Sequence, residues 1–179
     1  MKIRDITLKL ITDAGVFSKN RLDPGTKLLI DSLPLNSGFK QVLDLGCGYG
    51  PIGLTIAKLL PEATIYLSDI NERAIELGIK NAQINELTNI LFKSGDGFEP
   101  FPNQKFDLIV TNPPIRAGKQ VIYRLIDQAF EVLNPGGWLM LVIKTKHGAK
   151  SMETKLNSVF NNVIELEKGG GYRVYGSRK

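Results

Sequence analysis

The sequence predicts an α/β fold: a seven-stranded, mostly parallel sheet with helices on both faces and one antiparallel strand in a C-terminal hairpin. Short apolar segments alternate with amphipathic ones along most of the chain, which is typical of a parallel sheet covered on both sides. A glycine-rich turn follows the first core strand, and two further strand-like segments flank the glycines at 169–171. The latter glycines predict a tight hairpin at the end of the sheet.

Apolar segments rich in branched side chains are the predicted parallel strands, at residues 41–45, 64–68, 89–93, 106–111 and 138–143. The hairpin strands are expected at 163–167 and 172–176. Apolar residues alternate at Ile6, Leu8 and Leu10, which predicts a small β element near the N-terminus.

Helices are predicted between the strands, at residues 25–33, 51–60, 72–85, 118–133 and 149–160. The second of them has proline in its first turn, and Asn71 is a suitable N-cap for the third. The Asn-Pro-Gly-Gly sequence at 134–137 ends the fourth. We therefore expect a single domain over residues 1–179, with the β element and first helix in 1–35 and the core in 36–179.

The composition is that of one soluble globular domain, with 179 residues, of which 42% are hydrophobic and 23% charged. A single cysteine excludes an internal disulfide framework and, with one histidine, leaves no set of zinc ligands, so no metal is expected. No apolar run approaches the roughly 20 residues that cross a bilayer, and the first residues lack the apolar core of a signal peptide. These features predict a cytoplasmic protein without a membrane partner.

The net charge of +5 and the pI of about 9.3 favour a polyanionic partner, with nucleic acid as the leading candidate. A solvated basic surface explains the same charge. The cations Lys19, Arg116, Lys119, Lys144 and Lys146 lie in segments expected at one rim of the sheet. There they would either bind RNA phosphates or remain solvated.

The turn after the first core strand reads Asp-Leu-Gly-Cys-Gly-Tyr-Gly-Pro-Ile-Gly at residues 44–53. Its glycines let a ligand approach the backbone closely, and the following helix presents free N–H groups. The spacing of Gly48, Gly50 and Gly53 also matches the dinucleotide fingerprint, with Asp69 at the end of the next strand. An NAD-dependent oxidoreductase is therefore one interpretation of this loop.

Acidic residues at the ends of three successive strands, Asp44, Asp69 and Asp96, favour a different cofactor. A carboxylate beside a pyrophosphate is electrostatically unfavourable, whereas S-adenosylmethionine (SAM) carries a sulfonium and an ammonium. Asp69 suits the ribose hydroxyls of either cofactor. Each carboxylate also has a structural alternative: Asp44 as a brace for the loop, Asp69 as a helix cap, and Asp96 as part of an ordinary glycine-rich turn.

A second motif, Asn-Pro-Pro-Ile at residues 112–115, ends the strand at 106–111. Neither proline donates a backbone N–H, and both restrict the chain, so the motif predicts a stiff turn with Asn112 extended. Open α/β sheets bind ligands at this edge. The Asn112 amide is therefore expected to act in catalysis by positioning a substrate.

These motifs resemble those of class I SAM-dependent methyltransferases, whose fold is Rossmann-like. More narrowly, residues 112–119, with the segments 15–19 and 22–26, are similar to the small-subunit ribosomal RNA guanine-N2 methyltransferase family. The resemblance covers about residues 8–176 and places the chain in the single-domain branch of that family. It implies SAM as the methyl donor and ribosomal RNA or the small ribosomal subunit as the partner.

The resemblance also implies roles for individual residues. Asp44 would anchor the methionine end of SAM, and Asp96 would bond the adenine amino group. The implied cofactor contacts are Asp44, Gly46, Cys47, Gly48, Gly50, Asp69, Ile70, Asp96, Gly97 and Asn112. The implied catalytic residues are Asn112, Pro113, Pro114 and Ile115.

The Asn-Pro-Pro motif suits a guanine amine because this amine is a poor nucleophile, its lone pair being delocalised into the ring. If the Asn112 side-chain oxygen and the Pro113 carbonyl accept its two N–H bonds, the lone pair can point at the SAM methyl group for in-line displacement. Ile115 would pack on an extruded base, although its aliphatic side chain replaces the aromatic one usual in such motifs.

The segment ahead of the first helix contains Phe17, Ser18 and Asp23, and Thr26 lies in the first turn of that helix. These residues either close over the cofactor or substrate, or form a hydrophobic staple and cap for the helix. Cys47 is expected to fill a small position in the glycine loop, since the sequence identifies no base that would make it a nucleophile.

The same motifs fit other functions. A glutamine-N5 methyltransferase of release factors, or an adenine-N6 methyltransferase, would share Asn-Pro-Pro, but Ile115 and the basic continuation to Lys119 favour an RNA guanine. The NAD-dependent oxidoreductase and a non-catalytic module that binds SAM and RNA are the alternatives from other classes. The leading prediction is N-methylation of an exocyclic guanine amine (N2) in small-subunit ribosomal RNA.

Overall fold

A computed structural model describes residues 2–12, 22–35, 38–113 and 118–179. The strands in these ranges are β1 (Lys2–Ile3), β2 (Ile6–Thr7), β3 (Gln41–Leu45), β4 (Thr64–Asp69), β5 (Ile90–Ser94), β6 (Phe106–Thr111), β7 (Leu133–Lys144), β8 (Ile164–Gly169) and β9 (Tyr172–Arg178). The helices are α1 (Pro24–Ser32), α2 (Pro51–Leu59), α3 (Glu72–Ile84), α4 (Lys119–Val132) and α5 (Ala149–Phe160), with a 3₁₀ turn at Thr145–His147.

The strands β3 to β9 form one seven-stranded sheet in the order β5-β4-β3-β6-β7-β9-β8. Neighbours from β5 to β7 pair in parallel, and β9 runs antiparallel to both β7 and β8. The predicted α/β fold, with one antiparallel strand in a C-terminal hairpin, is confirmed. Because the strand order reverses between β3 and β6, their carboxyl ends border the crevice where such sheets bind ligands.

Successive residues of the central strands face opposite helix layers, as the alternation of a strand requires. Val42 and Leu108 belong to a core that includes residues of α1, α2 and α3. Leu43 and Ile109 belong to a second core, formed with α4 and α5. All four side chains are completely buried. Two packed layers therefore hold the strand ends, and the loops that follow them, in fixed positions.

One boundary differs clearly from the sequence prediction: β7 begins at Leu133 rather than at residue 138. The Asn-Pro-Gly-Gly segment that ends α4 is drawn into the sheet instead of forming a free loop. Leu133 pairs with Phe106 of β6, and the Asn134 Nδ2 donates to Asp107 Oδ1 at 2.8 Å. These contacts join residues far apart in sequence, so local turn residues do not reveal them.

The N-terminal β element is also shorter than its alternating pattern suggests. It is a small antiparallel hairpin in which Ile3 pairs with Ile6. Leu8 is buried in a cluster with Leu54 and Ala82, beyond the end of the strand. The alternation therefore identifies which side chain is buried, although the backbone there does not continue the hairpin.

Candidate active site

The carboxyl ends of β3 and β6 lie side by side, and Asn112 follows them. Asp44 is in register with Val110 across the pair of strands. At the end of β6, the Thr111 hydroxyl donates to the Leu45 carbonyl oxygen at 2.8 Å. This bond joins the start of the glycine loop to the residue before Asn112. The two motifs that the sequence singles out are thus brought to one edge of the sheet.

Asp44 lies beneath the glycine loop and is completely buried. Its Oδ2 accepts a hydrogen bond from the Gly53 N–H at 2.8 Å, in the first turn of α2, where Gly50 supplies no side-chain cap. Among the described residues its Oδ1 has no hydrogen-bond partner. Burial raises the pKa of Asp44 to about 7. The contact with Gly53 is the bracing role that the sequence left open, and the unpaired oxygen suits a cationic ligand group.

Asp69 fastens the glycine loop to the end of β4. The loop turns through Gly46, Gly48 and Gly50, all with positive φ. The Gly48 N–H donates to Asp69 Oδ2 at 2.8 Å, and the Asn71 N–H donates to Asp69 Oδ1 at 2.9 Å. Asn71 itself caps α3, as predicted. Asp69 remains partly exposed, so its carboxylate keeps accessible lone pairs for a ligand hydroxyl.

Ile70 and Asp96 occupy the neighbouring strand ends. Ile70 is 75% exposed, an uncommon position for a large apolar side chain, and suits the flat face of a ligand such as adenine. Both oxygens of Asp96 bond the Arg124 Nη2 of α4, at 3.0 and 2.7 Å. Arg124 was not predicted from the sequence, because the partners are 28 residues apart and no motif links them. Gly97 follows with positive φ.

Cys47 is buried within the loop, and burial raises the pKa of its thiol well above the ordinary value. The thiolate is the reactive form of cysteine, so this thiol is a weak nucleophile at neutral pH. Its environment agrees with a packing role in the glycine loop.

Asn112 is held by two acceptors on the first helix and its cap. Its Nδ2 donates to Asp23 Oδ2 at 3.1 Å and to Thr26 Oγ1 at 2.9 Å. A side-chain amide has two N–H donors, and these contacts use both. A carboxylate accepts only, so the nitrogen must face Asp23 and the oxygen must point away. Among the described residues the Asn112 Oδ1 has no hydrogen-bond partner, which leaves it available to a substrate.

Asp23 also contacts two further groups. Its Oδ2 accepts from the Thr26 N–H at 2.9 Å, so it caps α1, one of the alternatives that the sequence allows. Its Oδ1 accepts from the Tyr172 hydroxyl of β9 at 3.0 Å. Burial and the bond to Asp23 raise the pKa of Tyr172 to about 12, so the phenol remains a donor at neutral pH. The contact between Asp23 and Asn112 was not predicted, since the residues are 89 positions apart.

Three of the predicted RNA-binding cations lie at the same edge of the sheet. Lys119 opens α4, Lys144 ends β7, and Lys146 lies in the 3₁₀ turn that follows. The Lys144 ammonium is 5.5 Å from the centre of the Tyr172 ring, which places positive charge beside the Asp23 network. Lys119 and Lys146 are exposed. Phosphate binding by these residues stays a prediction.

Several predicted site residues lie outside the described part of the chain, and their roles stay predictions. They are Phe17, Ser18, Lys19, Pro114, Ile115 and Arg116. Pro113 is described and is buried. No helix in the described ranges has the length and apolar character needed to span a membrane. Those ranges also contain no cluster of three or more His, Cys, Asp or Glu residues able to hold a metal ion.

Comparison with known sequences identifies relatives of this chain. It is 41% identical over 179 residues to the uncharacterized protein YbxB of Bacillus subtilis, covering 99% of this chain and 89% of that one. It is 40% identical over 140 residues to ribosomal RNA small subunit methyltransferase C of Hahella chejuensis, covering 76% of this chain and 40% of that one.

A similar solved structure is the 16S rRNA N2 methyltransferase of T. thermophilus in complex with AdoMet and guanosine. The TM-score is 0.89 at 27% identity, over 100% of this chain and 49% of that one. The chain thus covers half or less of the length of these two ribosomal RNA methyltransferases. The Rossmann-like methyltransferase fold implied by the motifs is confirmed. Because the Methyltransferase small domain model matches residues 7–176, the chain belongs to the methyltransferase small domain family.

Proposed function

We propose that the protein transfers the methyl group of SAM to the exocyclic N2 amine of a guanine in small-subunit ribosomal RNA. The observation that carries this proposal is the orientation of Asn112. Asp23 and Thr26 take both of its amide hydrogens, and among the described residues Oδ1 has no hydrogen-bond partner at the switch point of the sheet. A free, pre-oriented acceptor is what an amine with two N–H groups needs for alignment.

The methyl donor is SAM. The chain belongs to a methyltransferase family, and its neighbour from T. thermophilus was solved with AdoMet. The residues present fit this cofactor: positive-φ glycines allow close approach, Asp44 offers a buried oxygen that has no hydrogen-bond partner within the described ranges, and Ile70 offers an exposed apolar side chain. When bound, SAM supplies an electrophilic methyl group. The family assignment argues against the NAD-dependent oxidoreductase.

Asn112 acts by orienting the acceptor. Its Oδ1 accepts one N–H of the amine, and the Pro113 carbonyl accepts the other, so the nitrogen lone pair is turned out of the ring plane. These bonds strengthen as positive charge develops on the nitrogen in the transition state. No strong base is required before transfer, because the N–H becomes acidic only as the new bond forms. The proton then leaves through the hydrogen bond to Asn112 Oδ1 towards solvent.

A ribosomal RNA substrate is supported by the positive charge of the protein and by the names of its relatives. The net charge is +5, and Lys119, Lys144 and Lys146 lie at the edge that carries Asn112. The Hahella relative is named as a small subunit methyltransferase, and the Thermus neighbour is an N2 methyltransferase solved with guanosine. These names favour guanine N2 over glutamine N5 or adenine N6.

A transfer assay with several acceptors tests the proposal. Labelled SAM is supplied with naked small-subunit RNA, small subunits, large subunits or release factors, and the products are digested and separated. We expect label in N2-methylguanosine from the small-subunit samples. Label confined to a release factor, to adenosine or to the large subunit would contradict the proposal. Binding of SAM without transfer to any acceptor would support the non-catalytic module instead.

A further inference from the structure

We infer that Asp23 is a positioning residue for methyl transfer: its carboxylate, supported by Tyr172, selects the orientation of the Asn112 amide that presents Oδ1 to the acceptor amine. The inference rests on the proposed function and deepens it. It assigns to the cap of α1 a second role at the catalytic edge, which is the edge of the sheet formed by the carboxyl ends of β3 and β6 and by Asn112.

A side-chain amide is nearly symmetric in shape, with an oxygen and a nitrogen of similar size. Turning the Asn112 side-chain amide by half a rotation exchanges Oδ1 and Nδ2 at almost no steric cost. The Thr26 hydroxyl can donate or accept, so it tolerates either orientation. The Asp23 carboxylate cannot, because a turned amide would place two acceptor oxygens about 3.1 Å apart. Asp23 is therefore the group that distinguishes the productive orientation from the reversed one.

Asp23 can do this because it is itself held from several directions. It accepts from the Thr26 N–H of α1 and from the Tyr172 hydroxyl of β9, as well as from Asn112. The Tyr172 ring lies tightly over Gly25, where an added Cβ would come within 2.5 Å of the ring. Such packing restricts both side chains to one arrangement, and a supported neighbour is what keeps a catalytic group in place.

The contact also exceeds what capping requires. A cap needs only one oxygen near the N–H of its third helical residue, and Ser, Thr, Asn and Asp all supply it. Asp23 uses the same Oδ2 for the cap and for Asn112, and its second oxygen for Tyr172. The capping role and the positioning role can therefore be separated by substitution.

The test compares Asp23→Ser, Asp23→Asn and Asp31→Ser. Serine retains the cap but is too short to reach Asn112, whereas asparagine retains an oxygen for both N–H groups. Asp31→Ser is the matched control in the same helix, because Asp31 pairs with Lys27 at an exposed site. The measurements are single-turnover transfer at saturating SAM and RNA, the Kd of SAM, the melting temperature, and the side-chain amide spectrum of Asn112.

We expect Asp23→Ser to slow transfer about tenfold, with the Kd of SAM and the melting temperature close to those of Asp31→Ser. Asp23→Asn should retain transfer within about threefold of wild type, since it restores the acceptor. The Nδ2 signals of Asn112 in ¹⁵N spectra are assigned by their loss in Asn112→Ala. Of the three variants compared, we expect only Asp23→Ser to move these signals.

Wild-type transfer by Asp23→Ser, or an Asn112 signal unchanged by that substitution, would overturn the inference. So would an equal loss of activity in Asp23→Ser and Asp23→Asn together with an equal fall in melting temperature, which would indicate that the carboxylate acts only through the stability of the fold. The spectra need no methyl acceptor, so they decide the question even if the wild-type protein labels no guanine. In that case the proposed function fails on its own assay, while the contact is still tested.

Discussion

Asn81 of α3 and Ile11 exchange two hydrogen bonds, much as two residues of neighbouring strands do. The Ile11 N–H donates to Asn81 Oδ1 at 2.6 Å, and Asn81 Nδ2 donates back to the Ile11 carbonyl at 3.0 Å. The same Nδ2 donates to the Tyr49 carbonyl of the glycine loop at 3.1 Å. Asn81 is completely buried. Through these three hydrogen bonds its side chain joins both the N-terminal segment and the glycine loop to α3.

Replacement of Asn81 by alanine should be strongly destabilising. It leaves two backbone carbonyls and one N–H without their partner, at about 1 kcal/mol each, so we expect a loss of about 3 kcal/mol in the free energy of unfolding. The matched control is Asn85→Ala one turn later, whose half-buried side chain exchanges two hydrogen bonds with Lys9 and donates a third to the Asn81 carbonyl of its own helix, but does not reach the glycine loop. Urea denaturation measures both. Equal losses in the two variants would contradict the account.

The buried Asp44 should make stability depend on pH. Burial raises its folded-state pKa to about 7, whereas the unfolded chain has the ordinary value of about 3.9. Between these pH values Asp44 is protonated in the folded state and ionised in the unfolded state. The free energy of unfolding therefore falls as the pH rises from about 4 to about 7. Asp44→Asn should flatten that decline, because asparagine still accepts from Gly53 but does not ionise. Denaturation of the ligand-free protein at several pH values measures the slope, and an unchanged slope would count against this role.

Cofactor binding should release a proton from Asp44. A cationic ligand favours the ionised carboxylate, so the affinity for SAM should rise with pH up to about 7. Calorimetry in two buffers of different ionisation enthalpy reports protons released per SAM bound. The release should be present in the wild type near pH 6 and absent in Asp44→Asn. Identical release by both proteins would assign the proton to another group.

The ion pair between Arg124 and Asp96 should matter for SAM rather than for folding. Both side chains are nearly half exposed, so Arg124→Gln should change the free energy of unfolding by only about 0.5 kcal/mol. If Asp96 bonds the adenine amino group, loss of the partner that orients it should weaken SAM binding about threefold. Asp127→Asn, which removes the α4 ion pair with Lys155, is the control. Both variants binding SAM like wild type would argue against the predicted role of Asp96.

The cations at the catalytic edge should contribute to RNA binding through phosphates. Lys144→Ala and Lys146→Ala should each reduce the slope of log affinity against log salt by about 1. Lys58→Ala, in the last turn of α2 and thus at the opposite edge, removes the same charge and should leave the slope nearly unchanged. Filter binding to small-subunit RNA across a salt series measures this. Equal effects at all three positions would indicate only a general basic surface.

The strands of the sheet and its antiparallel hairpin could be anticipated because the information is local. Each core strand is a short apolar segment bounded by turn residues, and the glycines at 169–171 marked the antiparallel hairpin. The glycine loop and Asn112 were found in the same way, from contiguous motifs. Their neighbouring placement follows from topology, since parallel strands end at a common edge.

The support for the site could not be anticipated, because it comes from residues distant in sequence. Asp23 accepts from Asn112 across 89 positions, Tyr172 supports Asp23 from near the other end of the chain, and Arg124 of α4 bonds Asp96. Each is an ordinary polar residue in its local context. Only the packed fold shows which of the possible partners each one meets.

The rate of methyl transfer by Asn112→Ala tests the central claim most directly. Its matched control is Asn134→Ala, which removes another asparagine that donates to an aspartate, Asp107, away from the catalytic edge. Single-turnover formation of N2-methylguanosine in small-subunit RNA is followed at saturating SAM. We expect the rate to fall about 100-fold or more for Asn112→Ala and to stay close to wild type for Asn134→Ala. Transfer by Asn112→Ala at the wild-type rate would contradict it.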